Sequence, residues 1–213
     1  MPTKSFFDTL IVEFDNSLRT LIPPKKRMSN RASPAQHIQE GSLTASEKKH
    51  IAGLMRVNHA GEVCAQALYQ GQALTANLSH VKQQMAQAAA EEIDHLAWCE
   101  ERLAELGSRP SILNPLWYGG SLLIGALAGL AGDALSLGFV AETERQVTAH
   151  LQSHRLTLPS KDKKTIAILE RMQADEEHHA TVAMESGAKE LPFMLKQGMS
   201  LISKLMTKSS YYL

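Results

Sequence analysis

Glu92-Ile93-Asp94-His95 and Glu176-Glu177-His178-His179 are two copies of one pattern, Glu-x-x-His. Each has another acid upstream at nearly the same distance: Glu62 lies 30 residues before Glu92, and Glu144 lies 32 before Glu176. Residues three apart on a helix share a face, with Cβ atoms about 5–6 Å apart, so one carboxylate and one imidazole reach the same ion. Four carboxylates and two imidazoles at these offsets suit a bundle of four long helices holding two metal ions in its core. Oxygen donors with one imidazole per ion and no thiolate favour iron or manganese over structural zinc.

A third match, Glu47-Lys48-Lys49-His50, has a simpler explanation. Thr44-Ala45-Ser46-Glu47 has the form of a capping box, which places Glu47 at the third helical position. It also lacks an upstream Glu at the repeated distance. The other acids sit in apolar surroundings. Glu62 lies among Val57, Ala60, Val63, Ala65 and Leu68, and Glu144 follows Phe139-Val140-Ala141. Buried carboxylates without partners cost several kcal/mol each, so six such donors in a core require positive charge. Glu91 and Asp175 directly precede the ligand acids Glu92 and Glu176, where each can accept the second ring N–H of the histidine on the other helix. His150 and His59 are read first as packed helical histidines.

Around these motifs the chain reads as all-α. Apolar groups recur at helical spacing over residues 3–20, with Phe6, Phe7, Leu10, Ile11, Phe14 and Leu18 interrupted by Asp8, Glu13 and Asp15. That is an amphipathic helix and not a secretory signal. Pro23-Pro24 and the basic stretch to Gly41 read as a linker, and residues 43–213 as the main domain. A long helix runs from the capping box to Asn77. Ser79 is expected to cap a second helix ending at Leu106. A third is expected to carry the chain from Asn114-Pro115 to about Arg155. A fourth opens at Pro159-Ser160 and ends near Gly187, and a last one runs from Pro192 to Met206.

Charge and composition narrow the function. Lys plus Arg equals Asp plus Glu at 22 each, so no global field favours nucleic acid. Positive charge is clustered at Lys25, Lys26, Arg27 and Arg31 and again at Lys196, Lys204 and Lys208. Such runs read as solvated faces or, beside apolar helices, as contacts for an anionic lipid surface. Cys64 and Cys99 are the only cysteines and read as small buried hydrophobes in a reducing compartment. From Pro110 to Gly132 no charged residue appears, and Gly125-x-x-x-Gly129 permits close backbone approach. About 17 apolar residues are the lower limit for spanning a bilayer, so this helix is expected to lie against one leaflet or dip into it. No Gly-x-Gly-x-x-Gly dinucleotide motif occurs.

Arg56-Val57-Asn58-His59-Ala60-Gly61-Glu62, Tyr69-Gln70-Gly71-Gln72, Glu92-x-x-His95, Glu144 and Glu176-x-x-His179 resemble the demethoxyubiquinone hydroxylases of ubiquinone biosynthesis over about residues 43–213. The resemblance implies a ferritin-like four-helix bundle with added membrane-associating helices at both ends. It implies two iron ions held by Glu62, Glu92, His95, Glu144, Glu176 and His179, with no catalytic group beyond these ligands. A polyprenyl quinol and dioxygen are the implied substrates. Attachment to the cytoplasmic face of the cell membrane, and partner proteins of the same biosynthesis, are implied as well. The rival readings are an iron-storing or peroxide-scavenging ferritin and a non-enzymatic lipid-carrying module.

Overall fold

A computed structural model describes residues 6–22 and 27–213; residues 1–5, with the first part of the expected 3–20 helix, Pro23, Pro24, Lys25, Lys26 and the side chains of Phe6, Thr9, Leu10 and His80 lie outside the described residues. The described residues form seven helices and no strand: α1 (Phe6–Leu21), α2 (Ala45–Thr75), α3 (Ser79–Glu105), α4 (Asn114–Leu130), α5 (Asp133–Thr157), α6 (Lys163–Glu185) and α7 (Phe193–Tyr212). Helices α2, α3, α5 and α6 make the four-helix bundle. Helix α4 lies along α2, α7 packs on α2 and α5, and α1 rests on α2 and α4.

The capping box forms as expected. Thr44 Oγ1 accepts from Glu47 N–H at 3.2 Å while Glu47 Oε2 accepts from Thr44 N–H at 2.7 Å. Elsewhere the boundaries differ from the reading. The expected helix from Asn114 to Arg155 is two helices, broken at Ala131–Gly132, where Gly132 adopts φ +106°. Only glycine takes that backbone without strain. The break has a purpose: Asp133, opening α5, accepts from the N–H groups of Asn77 and Leu78 at 3.0 and 2.9 Å. That carboxylate ties the start of α3 to α5, and Ser79 makes no side-chain cap there. Asp162, and not Ser160, caps α6 by accepting from Thr165 N–H at 3.1 Å. Helix α7 continues past Met206 to Tyr212.

Two apolar clusters fill the bundle. One contains Ile51, Met55, Trp98, Leu103, Leu151, Leu169 and Met172; the other contains Ala65, Tyr69, Val81, Met85, Leu137, Val140 and Ala183. Along each bundle helix the acids predicted as ligands fall between residues of the first cluster and residues of the second. Hydrocarbon therefore packs above and below the polar centre. Cys99 is buried as expected, whereas Cys64 is only half-buried; both are free thiols.

Arg27 and Arg31 do not face solvent or lipid. Arg27 pairs with Glu100 at 2.8 Å, and Arg31 reaches Asp94 at 2.6 Å and Asp175 at 2.7 Å. Farther along, Glu40 pairs with Arg102, a buried guanidinium that also binds Asp162 at 2.9 Å. The segment before α2 is thus fastened across α3 and α6.

His154 on α5 makes stability depend on pH. Its Nδ1 lies 2.9 Å from Asn58 Oδ1, and its ring meets that of His150 edge-on. Burial, then the nearby His150 and His50, push its pKa down to about 3 from 6.5. The folded state keeps this imidazole neutral while the unfolded chain takes up a proton below about 6.5. Its contribution is complete above that pH and drains away as pH falls toward 3. Between pH 6.5 and 5 the loss is about 2 kcal/mol. Thermal melting of metal-free protein is expected to decline more steeply over this range than melting of His154→Gln; equal slopes would remove the assignment.

Candidate metal centre

Helical phase brings the six sequence-predicted donors together. Glu62 from α2, Glu92 and His95 from α3, Glu144 from α5, and Glu176 and His179 from α6 are all buried at one level of the bundle. They fall into two groups of four whose ligand atoms lie within 4.8 Å of one another: Glu62, Glu92, His95 and Glu176, then Glu92, Glu144, Glu176 and His179. Glu92 and Glu176, the acids of the two Glu-x-x-His motifs, belong to both groups. His95 Nδ1 lies 3.0 Å from Glu92, 3.2 Å from Glu176 and 3.6 Å from Glu62. His179 Nδ1 lies 3.3 Å from Glu176 and 3.4 Å from Glu92.

The outer ring nitrogens are held across the bundle, as the sequence had placed them. His95 Nε2 meets Asp175 at 3.0 Å, and His179 Nε2 meets Glu91 at 2.7 Å. Each acid fixes its imidazole so that Nδ1 faces the centre. His150 and His59 stand elsewhere. His150 packs on His154, and His59 bonds Glu100 at 3.2 Å and Asn114 at 3.2 Å.

Electrostatics show what the centre requires. Burial, then repulsion from Glu92, drives the Glu62 carboxyl well above the usual carboxylate range. Burial, then Glu176 and Glu92, does the same to Glu144. Burial opposes charge on the imidazoles, yet the surrounding carboxylates raise His95 well above its ordinary value and His179 to about 12. Burial also opposes charge on Asp175, but His95 and Arg31 hold it at about 2. Protons therefore crowd into the centre to balance four carboxylates. Two divalent cations carry the same charge and release those protons. Glu92 Oε1 and Glu176 Oε1, both of the shared acids, are buried without an aligned hydrogen bond, their nearest donors being His179 Nδ1 at 3.4 Å and His95 Nδ1 at 3.2 Å. Buried oxygens left in this state suit a cation. The donor set fits a di-iron site.

Tyr69 escaped the reading of the sequence as a site residue. It lies seven positions after Glu62, two turns along the same face of α2, and its hydroxyl donates to Glu144 Oε1. The signal was present in that spacing, but aromatic residues in helices pack far more often than they serve a site. Tyr69 also lines a cavity of about 110 Å³ with Met85, Ala88, Leu137 and Val140, and His179 and Glu91 line it too. The cavity is largely apolar and opens to the exterior.

Paired Glu-x-x-His helices closing on one buried centre define a ferritin-like bundle of the metal-binding carboxylate type. The solved structure of a dodecameric thioferritin, a bacterioferritin-related protein from Bacteroides fragilis, superposes with a TM-score of 0.55 at 20% identity, over 65% of this chain and 84% of that one. Residues 49–210 match the family described as "Ubiquinone biosynthesis protein COQ7", and the chain belongs to that family. Among curated relatives, a "3-demethoxyubiquinol 3-hydroxylase" of Legionella pneumophila (strain Corby) is 72% identical over the full length of both chains. One of the same name from Acinetobacter baumannii (strain ATCC 17978) is 58% identical over 97% of each.

Proposed function

We propose that the chain is a 3-demethoxyubiquinol 3-hydroxylase, inserting one oxygen atom of dioxygen into the ring of a polyprenylated methoxy-benzoquinol. The observation that carries this reading is the pair of overlapping donor groups sharing Glu92 and Glu176, within a chain so close to relatives of that name. Two iron ions per subunit are held by Glu62, Glu92, His95, Glu144, Glu176 and His179, all within residues 43–213. When bound, the iron pair supplies the redox chemistry of dioxygen activation. One oxygen atom enters the ring, and the other leaves as water with two electrons and two protons from a reductant.

The protein's own groups orient and exclude. The cavity beside His179 takes the apolar ring, and Met85, Leu137 and Val140 keep bulk water from the reacting carbon. Tyr69 holds Glu144 in place through its hydroxyl and also lines the cavity. Asp175 and Glu91 hold the imidazoles in the tautomer that leaves Nδ1 free for metal.

The quinol arrives from a bilayer. No helix among the described residues is long and apolar enough to cross a membrane. Large apolar side chains nevertheless stand exposed on three helices: Phe7, Ile11 and Phe14 on α1, Leu116, Leu123 and Leu127 on α4, and Phe193, Leu201 and Leu205 on α7. These rows support peripheral attachment to a membrane surface, and the side we propose is the cytoplasmic face of the cell membrane. Chromatography of quinones from cells lacking the protein tests the assignment. The methoxy, ring-unhydroxylated quinone is expected to accumulate and to disappear on complementation; its failure to accumulate would make the substrate assignment wrong.

A further inference from the structure

The two halves of the centre repeat each other in sequence spacing, but their surroundings are unequal. Asp175, which accepts from His95, is itself clamped. Its Oδ2 accepts from Arg31 Nη1 at 2.7 Å, and its Oδ1 pairs with Arg171 at 2.9 Å. Arg31 is fixed in turn on several sides. Its Nε donates to Asp94 Oδ2 at 2.6 Å, and Asn30 N–H donates to the other oxygen of Asp94 at 2.7 Å. The Arg31 guanidinium lies 4.9 Å over the Trp98 ring, and Trp98 Nε1 donates to the Arg31 carbonyl at 3.3 Å. Trp98 packs against His95, with ring centroids 5.3 Å apart.

Nothing comparable supports the other half. Glu91, which accepts from His179, takes one further hydrogen bond, from Gln87 at 2.7 Å. No lysine or arginine pairs with it among the described residues, and it is a third exposed at the rim of the cavity. A carboxylate anchored by two guanidinium groups holds its histidine in one orientation. A carboxylate facing solvent can swing away.

We propose that Arg31 is a positioning residue that locks the His95 half of the centre through Asp175, so that the two metal positions are unequal. The His95 position is tight. The His179 position, beside the cavity, is the labile one. The segment preceding the bundle therefore completes the metal site, although every ligand lies beyond residue 43. This rests on the di-iron reading and adds to it an inequality that the duplicated motifs do not contain.

The test uses the full chain loaded anaerobically with two equivalents of ferrous iron and challenged with excess chelator. Iron is expected to leave in two phases of equal size, and His179→Ala to lack the fast one. Arg31→Ala is expected to speed the slow phase by about 10–100-fold, the usual effect of losing an outer hydrogen-bonding partner of a ligand. The fast phase should stay within about twofold. Arg31→Lys, which keeps the charge but loses the fork between two aspartates, is expected to fall between. Mössbauer spectra at one equivalent of iron give a second readout: one doublet in the unsubstituted chain, two in Arg31→Ala. A single release phase, or a change of both phases by the same factor in Arg31→Ala, would overturn the inequality while leaving the di-iron site standing. Loading below one iron per unsubstituted chain would overturn the site itself.

Discussion

Glu176→Ala is expected to abolish hydroxylation, lowering turnover by more than the roughly hundredfold that loss of a mere outer partner can cause. Glu176 belongs to both donor groups, so the substitution weakens both metal positions at once. Glu144 and Glu62 each belong to one group, and alanine at either is expected to empty one position first. The fold should survive. In the metal-free chain Glu176 adds to the repulsion that drives Glu62 and Glu144 upward but also pairs with His95 and His179, so its removal relieves one interaction and costs another. The metal-free variant is therefore expected to stay helical and to melt cooperatively. Circular dichroism and quinol turnover measured side by side check both halves; retained turnover would contradict the role given to Glu176.

Gly125→Leu is expected to be the most destabilising change outside the site. A Cβ on Gly125 would lie 2.9 Å from Leu68 Cα and press into the Leu68 carbonyl; one on the facing Gly71 would lie 2.7 Å from Ala126 N. Both neighbours are backbone and neither can give way, so α4 must lift from α2. Overpacking a core costs typically about 1–3 kcal/mol, and a clash of helix backbone against helix backbone belongs at or above the upper end. Thermal melting is expected to fall by roughly 10 °C or more, with α4 becoming accessible to protease. At Gly119, inside α4 and with nothing for a Cβ to meet, alanine is expected to hold the melting point or raise it slightly, since glycine costs a helix interior about 0.5–1 kcal/mol.

These two sites differ in how openly the sequence announced them. The six donors were legible because a helix turns residues three apart onto one face, and the two Glu-x-x-His copies carry upstream acids at matched distances. Glu91 and Asp175 were legible for the same reason, since each precedes a ligand by one residue. Gly125 and Gly129 showed that a close helix approach existed but not its partner, which proved to be Gly71 and Thr75 of the same chain. The break at Gly132 was missed because the apolar run reads smoothly into α5. What stops the helix is a glycine with positive φ followed by an acid recruited by a distant turn. Arg31 could not be found by any local pattern. Its partners lie 63 and 144 residues away, and a basic run before a bundle ordinarily faces solvent or lipid.

Iron determination after anaerobic reconstitution and desalting is the most direct trial of the buried centre. Two irons per chain are expected, falling below one when Glu92 and Glu176 are both replaced by alanine. Fewer than one iron bound to the unsubstituted chain would contradict the account.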